Sequence, residues 1–293
     1  MRAYWVLFLF LLNINPVPAQ TFTRWAEVVH WDGVSHWSKY MLTMPAYQGP
    51  NSLPVPRLSN GSADSVFSIA ATAQAHFSNG DHTQNMHIYA SYCLVKDRIS
   101  FDLDWVPYER YKMSTAIKEE RHVFSQFYYD QEAMGEFHLN TRIQLLNKWR
   151  PHIQLALRIG YRFPSGSGFG AARYTDGPGY YFDISAGKPI GKSGLKWLAM
   201  AGFYTWQIES AEHNQDDAFL FGTGLEWQRR SWKLQANLAG YLGYLANSGD
   251  KPIVCRVEAE KKTGRFSILA GLQKGLHDFR FTSAELGARY RIQ

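Results

Sequence analysis

The sequence predicts an all-β, transmembrane, antiparallel up-and-down β-barrel of about twelve strands, carrying a Trp-rich N-terminal extension. Three observations point there. The chain opens on an export-type signal. From residue 66 onward, segment after segment alternates apolar and polar residues with period two. The connections between those segments alternate in length, as short inner turns and longer outer loops do in barrels that cross an outer membrane.

Residues 1–19 read as a cleaved secretory signal. Arg2 supplies the positive start, residues 5–12 (WVLFLFLL) the apolar run, and Val17, Pro18 and Ala19 a small-residue cleavage site before Gln20. The apolar run is too short to span a bilayer as a helix. There is no cysteine near the cleavage point to take a lipid anchor.

Residues 20–64 differ from everything after them. They hold Trp25, Trp31 and Trp37 and then a turn-rich stretch, residues 47–56 (YQGPNSLPVP). Prolines this close together exclude a helix or a central strand. The segment is expected to be a periplasmic extension outside the barrel wall, with a short helix before Pro45. Its aromatic content argues against disorder. It could enter the barrel as a plug led by the three tryptophans, or pack under the rim.

Residues 65–293 form the predicted barrel. In the first strand Phe67, Ile69, Ala71, Ala73, Ala75 and Phe77 share one face, and Ser68, Thr72, Gln74 and His76 the other. Strands follow near residues 85–95, 99–108, 137–145 and 153–162. Others are expected near 178–186, 195–207, 217–228, 232–245, 252–260, 266–275 and 280–292. The segment 195–207 is ambiguous, because both of its faces are apolar or small. Ten Trp, seventeen Tyr and eighteen Phe suit aromatic girdles at the two edges of a membrane.

Residues 96–98, 147–150, 228–231 and 261–265 are short basic turns, whereas 109–135, 163–177 and 208–216 are long and polar. With both termini periplasmic and an even strand count, the long loops lie outside the cell. A soluble β-sandwich needs fewer strands than these, and would not carry large charges of both signs on its polar face.

In a membrane barrel the polar face points inward. The expected lumen-lining acids are Asp102, Asp104, Glu136, Asp183, Glu226, Glu258 and Glu285. The expected bases are His138, Arg142, Arg158, Arg162, Lys233, Arg256, Arg289 and Arg291. These charges either line a narrow polar channel or pair and hold the wall together. Cys93 and Cys255 fall on different strands and opposite faces, so no disulfide is expected. No metal-ligand spacing is visible, and no cofactor is implied. The acidic loop around residues 209–217 lacks the spacing of a calcium loop. The net charge of +6 is scattered and gives no nucleic-acid footprint.

Four stretches carry a family resemblance: residues 31–40 (WDGVSHWSKY), 49–56 (GPNSLPVP), 172–181 (ARYTDGPGYY) and 275–278 (GLHD). On these the chain resembles uncharacterised outer-membrane β-barrels of Bacteroidetes over nearly its whole mature length. The resemblance implies an architecture and no activity. The C-terminus, Tyr290 to Gln293, departs from the proteobacterial pattern, which favours a terminal aromatic residue.

One motif looks catalytic. Residues 76–80 (HFSNG) resemble the His-x-Ser-Asn-Gly element of outer-membrane phospholipase A. In that reading His76 takes the Ser78 hydroxyl proton for attack on an ester, with Asn85 or Asp81 orienting the ring. Against it, alternation turns His76 and Ser78 away from lipid, and Asn79-Gly80 is by itself a hairpin signal. The leading expectation is a narrow porin-like channel for a small polar solute, contacting outer-membrane lipid. The alternatives are the esterase and a closed barrel that presents loops to a partner.

Overall fold

The computed structural model describes residues 17–124, 131–146, 153–208, 210, 213–245 and 249–292. Residues 1–16, most of the expected signal, lie outside them, as does the expected turn at 147–150. Twelve long strands build the wall. They are β1 (Phe67–Ser78), β2 (Asp81–Val95), β3 (Ile99–Met113), β5 (His138–Leu146), β6 (Gln154–Arg162) and β7 (Gly179–Ile190), then β8 (Leu195–Gln207), β9 (Gln215–Arg229), β10 (Trp232–Gly243), β11 (Ile253–Thr263), β12 (Phe266–His277) and β13 (Thr282–Ile292). A three-residue strand, β4 (Gln131–Ala133), pairs beside the far end of β3.

Each wall strand pairs antiparallel with its neighbour, and β13 returns to β1, with Phe67 opposite Ile292 and His76 opposite Ser283. The sheet is therefore a closed barrel, and no open edge is left to satisfy. Alternation sets the faces. On β1, Ser68, Ala70, Thr72 and His76 are buried while Ile69 and Phe77 are exposed. Phe182, Ile184, Phe219, Leu225, Ile268, Leu272 and Leu286 are likewise exposed on the outer surface. An exterior so apolar fits hydrocarbon and not water.

The barrel has two unlike ends. At one, which we call the turn end, tight connections at 96–98, 191–194, 230–231 and 264–265 join the strands. β1 starts and β13 finishes there. At the other, the loop end, residues 114–124 and 131–137 of one long connection and 163–178 of another fold over the opening, and the first of them carries a short helix, α2 (Thr115–Glu120).

The N-terminal extension corrects two expectations. Its helix is earlier and longer than the sequence suggested: α1 (Val17–Val29), followed by 3-10 turns at Trp37–Tyr40 and Pro45–Tyr47. It also does not stay on the side of the C-terminus. Trp25 Nε1 donates to the His122 carbonyl oxygen at 3.0 Å, and Arg24 pairs with Glu119 at 2.9 Å, which docks α1 on the loop end. Trp37 stacks on Phe124 at 4.6 Å between ring centroids and lies beside Phe169. From there residues 48–66 descend through the barrel to the turn end, where β1 begins.

Pro50, Pro54 and Pro56 keep this strap out of the ladder, since each lacks an N–H. Its carbonyls are satisfied instead by side chains of the wall. Arg162 donates to Ser52 O at 2.8 Å, Tyr241 to Leu53 O at 2.9 Å, Arg256 to Val55 O at 2.6 Å, and Gln144 to Gly61 O at 2.9 Å. Close approach requires glycine in the wall: a Cβ on Gly187 would stand 2.2 Å from Asn60 O.

The ambiguous segment 195–207 is β8, and its double apolarity now has a cause. Its inward Leu198, Met200, Tyr204 and Trp206 are buried against Leu53, Val55 and Leu58 of the strap, while Trp197 faces out. Burial contributes about 1.5–3 kcal/mol for each of the strap's three apolar side chains.

Leu272 is among the most exposed side chains of the outer surface, at 64 %. Leu272→Arg is expected to cost about 2–4 kcal/mol of barrel stability in urea unfolding from lipid vesicles. Gln273→Glu, one residue on, turned inward and bonded to Arg256, should cost less than half as much. Equal costs would contradict the assignment of faces.

Candidate functional site

The strap divides the interior. Along β7 to β11 it is packed tightly by the apolar cluster around Tyr204, Trp206, Leu220, Tyr241 and Val254. On the other side, toward β1–β3 and β12–β13, it leaves a polar cavity of about 360 Å³. Gln74, His76, His87, Asp104, His138, Arg142, Glu258 and Glu285 line this cavity, together with Pro54, Arg57 and Asn60 of the strap.

The inward charges foreseen from alternation all face the interior, and most are paired across neighbouring strands. Arg142 meets Asp102 at 2.7 Å, Arg158 meets Asp183 at 2.7 Å, Arg162 meets Glu136 at 3.0 Å, and Lys233 meets Glu226 at 2.9 Å. Asp104 accepts from His87 at 3.0 Å and lies opposite His138 in the register of β3 and β5. Glu285 and Glu258 are held by one guanidinium, Arg57 of the strap, at 2.7 Å for Glu285. Arg289 pairs with Glu260 at 3.0 Å, and Arg291 bonds the same carboxylate. Arg256 reaches no carboxylate, and bonds strap carbonyls and Gln273.

Toward the loop end the interior closes. Asp81, the first residue of β2, accepts from Arg121 at 2.6 Å and from Arg173 at 2.9 Å. Arg173 also pairs with Glu109 at 2.7 Å and lies over the Tyr111 ring at 4.3 Å. Tyr174 donates to Glu109 at 3.0 Å. All four charged side chains of this knot are fully buried. Met41, Met113, Ile117 and Ala171 pack around them, and α1 lies above.

His76 sits at the inner limit of the cavity, and its partners correct the catalytic motif. Asn85 Nδ2 donates to Gln74, so its Oδ1 faces Asn51 Nδ2 and the His76 ring. This network assigns the proton to His76 Nε2, 2.8 Å from Asn85 Oδ1. Nδ1 then accepts from the hydroxyl 2.7 Å away, which is that of Ser283 on β13. Ser78 turns instead to the Asp81 carbonyl within its own hairpin, at 3.4 Å. His76 and Asn85 are thus brought together, and Ser78 is not. Strand pairing decides this: β13 places Ser283 directly opposite His76.

Trp25, Trp31 and Trp37 cap the loop end and do not fill the lumen. The part that fills it is the proline-rich run that follows them. Arg57, Glu109, Arg121 and Arg173 were missed by the sequence reading. Glu109 lies beyond a register shift in β3: the inward residues are even-numbered up to Val106 and odd-numbered from Glu109, so alternation carried on from Asp102 and Asp104 would have turned it outward. Arg121 and Arg173 lie on loops that fold back over the opening, where no period marks a buried residue. Among the described residues no group of three or more His, Cys, Asp or Glu side chains is placed to hold a metal ion. Cys93 and Cys255 are free thiols.

Asp81→Asn would leave Arg121 and Arg173 facing each other without their shared carboxylate. The expected loss is about 3–5 kcal/mol, the usual cost of removing one member of a buried ionic cluster. Chemical denaturation in detergent micelles measures it, and a loss below 1 kcal/mol would show that water reaches the knot.

No protein-family model matches the sequence, and no curated protein matches it either. Solved structures do match in shape. The outer membrane channel from Pseudomonas putida F1 aligns over 82 % of this chain and 100 % of its own, with a TM-score of 0.54 at 12 % identity. The NanC porin aligns over 76 % of this chain and 100 % of its own, with a TM-score of 0.49 at 9 % identity. The translocator domain of the autotransporter NalP from Neisseria meningitidis covers 78 % of this chain and 89 % of its own, with a TM-score of 0.45 at 10 % identity. At such identities the likeness is one of fold: this chain is a closed, twelve-stranded antiparallel barrel of the kind found in outer-membrane proteins.

Proposed function

We propose that the protein resides in a bacterial outer membrane and acts as a narrow, porin-like channel for a small polar solute. The observation that carries this reading is the division of the lumen. A barrel built only as a scaffold has no need of a water-sized passage beside a packed strap. Here a polar cavity of about 360 Å³ runs along one side of the strap. It shares Asp64, Lys233 and Arg289 with a second chamber, of about 290 Å³, at the turn end.

In this reading the turn end faces the periplasm and the loop end faces outward. The outer apolar face contacts lipid. The strap narrows the passage, and the knot of Asp81, Glu109, Arg121 and Arg173 closes it outside. Transport then requires the loop-end cap, α2 with its neighbouring loops, to move as a unit. Its exposed tie, Arg24 to Glu119, contributes little. The buried ion pairs are what hold it.

A second reading, hydrolysis of an ester, draws on the Ser283, His76 and Asn85 chain. It has a polarised hydroxyl at the cavity wall. It lacks donors for an oxyanion, because β13 pairs on both sides around Ser283.

Planar-bilayer recording of the refolded protein tests the channel. The full chain is expected to conduct in small steps. Deleting residues 17–64 should raise the single-channel conductance several-fold. Arg57→Ala, which frees Glu258 and Glu285 from the strap, should increase conductance or its noise without unfolding the barrel. A barrel that stays closed in all three forms would sink the channel reading. Labelling of Ser283 by a fluorophosphonate, lost in Ser283→Ala, would then favour the esterase.

A further inference from the structure

The chamber at the turn end is unevenly charged. Its wall carries five cations, Arg230, Lys233, Lys262, Arg289 and Arg291, against two carboxylates, Asp64 and Glu260. The carboxylates are already engaged. Glu260 is shared by Arg289 and Arg291, and Asp64 lies 3.7 Å from Arg142 of the inner cavity. Lys233 is matched by Glu226 at 2.9 Å. Among the described residues no carboxylate lies within ion-pair distance of Arg230 or Lys262. The adjoining turns add Arg229, Lys261 and Arg265 outside the chamber. The lining of the inner cavity is nearly balanced by contrast, with five carboxylates against six Lys and Arg side chains.

We propose that this chamber is a selectivity vestibule that gathers small oxyanionic solutes, carboxylates or phosphates, at the turn end of the barrel. The proposal rests on the channel reading and names the class of solute. Rings of Arg and Lys set anion preference in pores, because a low-dielectric wall focuses their field into the opening. The chamber's four serines offer neutral donors beside the cations, which suits an oxygen-rich anion. Arg289 links the two spaces, since it lines both. An anion in the vestibule thus meets a guanidinium at the point where it must pass inward. The chamber is too small for a polymer; Lys233, Arg289 and Arg291 are half-buried on its wall, and Arg230 and Lys262 are exposed at its rim.

The test separates the vestibule from the pore. A fluorophore is attached at Ser231→Cys in a Cys93→Ser, Cys255→Ser background, and the protein is placed in uncharged phosphatidylcholine vesicles at low salt. Iodide, caesium and neutral acrylamide serve as quenchers. Relative to acrylamide, iodide is expected to quench several-fold better than caesium. In Arg230→Glu, Lys262→Glu the order should invert. Both substitutions break no ion pair and lie at the turn end, so the barrel should keep its folded mobility in electrophoresis.

Equal quenching by the two ions, or no change in the variant, would overturn the proposal. Reversal potentials in a potassium chloride gradient give the second reading. A chloride-to-potassium permeability ratio above one, falling below one in the variant, is expected. A conducting barrel that prefers potassium would overturn the vestibule and leave the channel standing. A silent barrel that still concentrates iodide would overturn the channel and leave an anion-binding chamber.

Discussion

A segment that is not a strand runs through the middle of this barrel, and its backbone must find hydrogen-bond partners there. An unpaired buried carbonyl costs about 1–3 kcal/mol. The ladder cannot help, because every wall strand already has two neighbours. The wall meets the demand with side chains. Arg162, Tyr241, Arg256, Gln235 and Gln144 each reach in and donate to a strap carbonyl. Each of the strap's three prolines removes one donor, and side chains of the wall meet others, as Gln144 does for Ala63 N–H and Ser100 for Asp64 N–H. Much else in the interior follows from this arrangement.

Since those donors come from β5, β6, β10 and β11, the strap is fixed to one side of the lumen. That side becomes a true apolar core, with Leu53, Val55 and Leu58 set among tyrosines, Trp206 and leucines of the wall. The opposite side receives no such filling. Its residues stay polar, and their charges find partners across adjacent strands. A cavity therefore lies beside the strap, bounded on one face by Arg57 and on the other by the β1–β3 and β12–β13 wall. The same chain that reduces the lumen also defines the shape of what is left.

The ends differ for a related reason. At the loop end the extension has three tryptophans to place and two long loops to place them against. Phe124 receives Trp25 and Trp37, Phe169 lies beside Trp37, and Trp31 packs on Trp25; the buried knot under them removes water from that mouth. At the turn end the connections are too short to fold inward. The mouth there stays open, and its basic residues face solvent and chamber alike. Openness at one end with closure at the other distinguishes this barrel from a uniformly filled one.

The sequence by itself determined the wall. Period-two alternation from β1 to β13 is a local property, so the strands, their number and their inward charges could be read residue by residue. Asp102, Arg142, Asp183, Glu226, Glu285 and Arg289 were identified in this way. The route of the extension could not be. Prolines and tryptophans showed that residues 20–64 are not wall, but whether they fill, cap or hang free depends on surfaces distant in the chain. The same holds for β8, whose two apolar faces made sense once Leu53 and Val55 lay against one of them. It holds for His76, whose hydroxyl partner is 207 residues away in sequence and not two. Which residues share a strand face is fixed by alternation along the chain; which faces meet is fixed by closure of the barrel, and closure belongs to the tertiary structure alone.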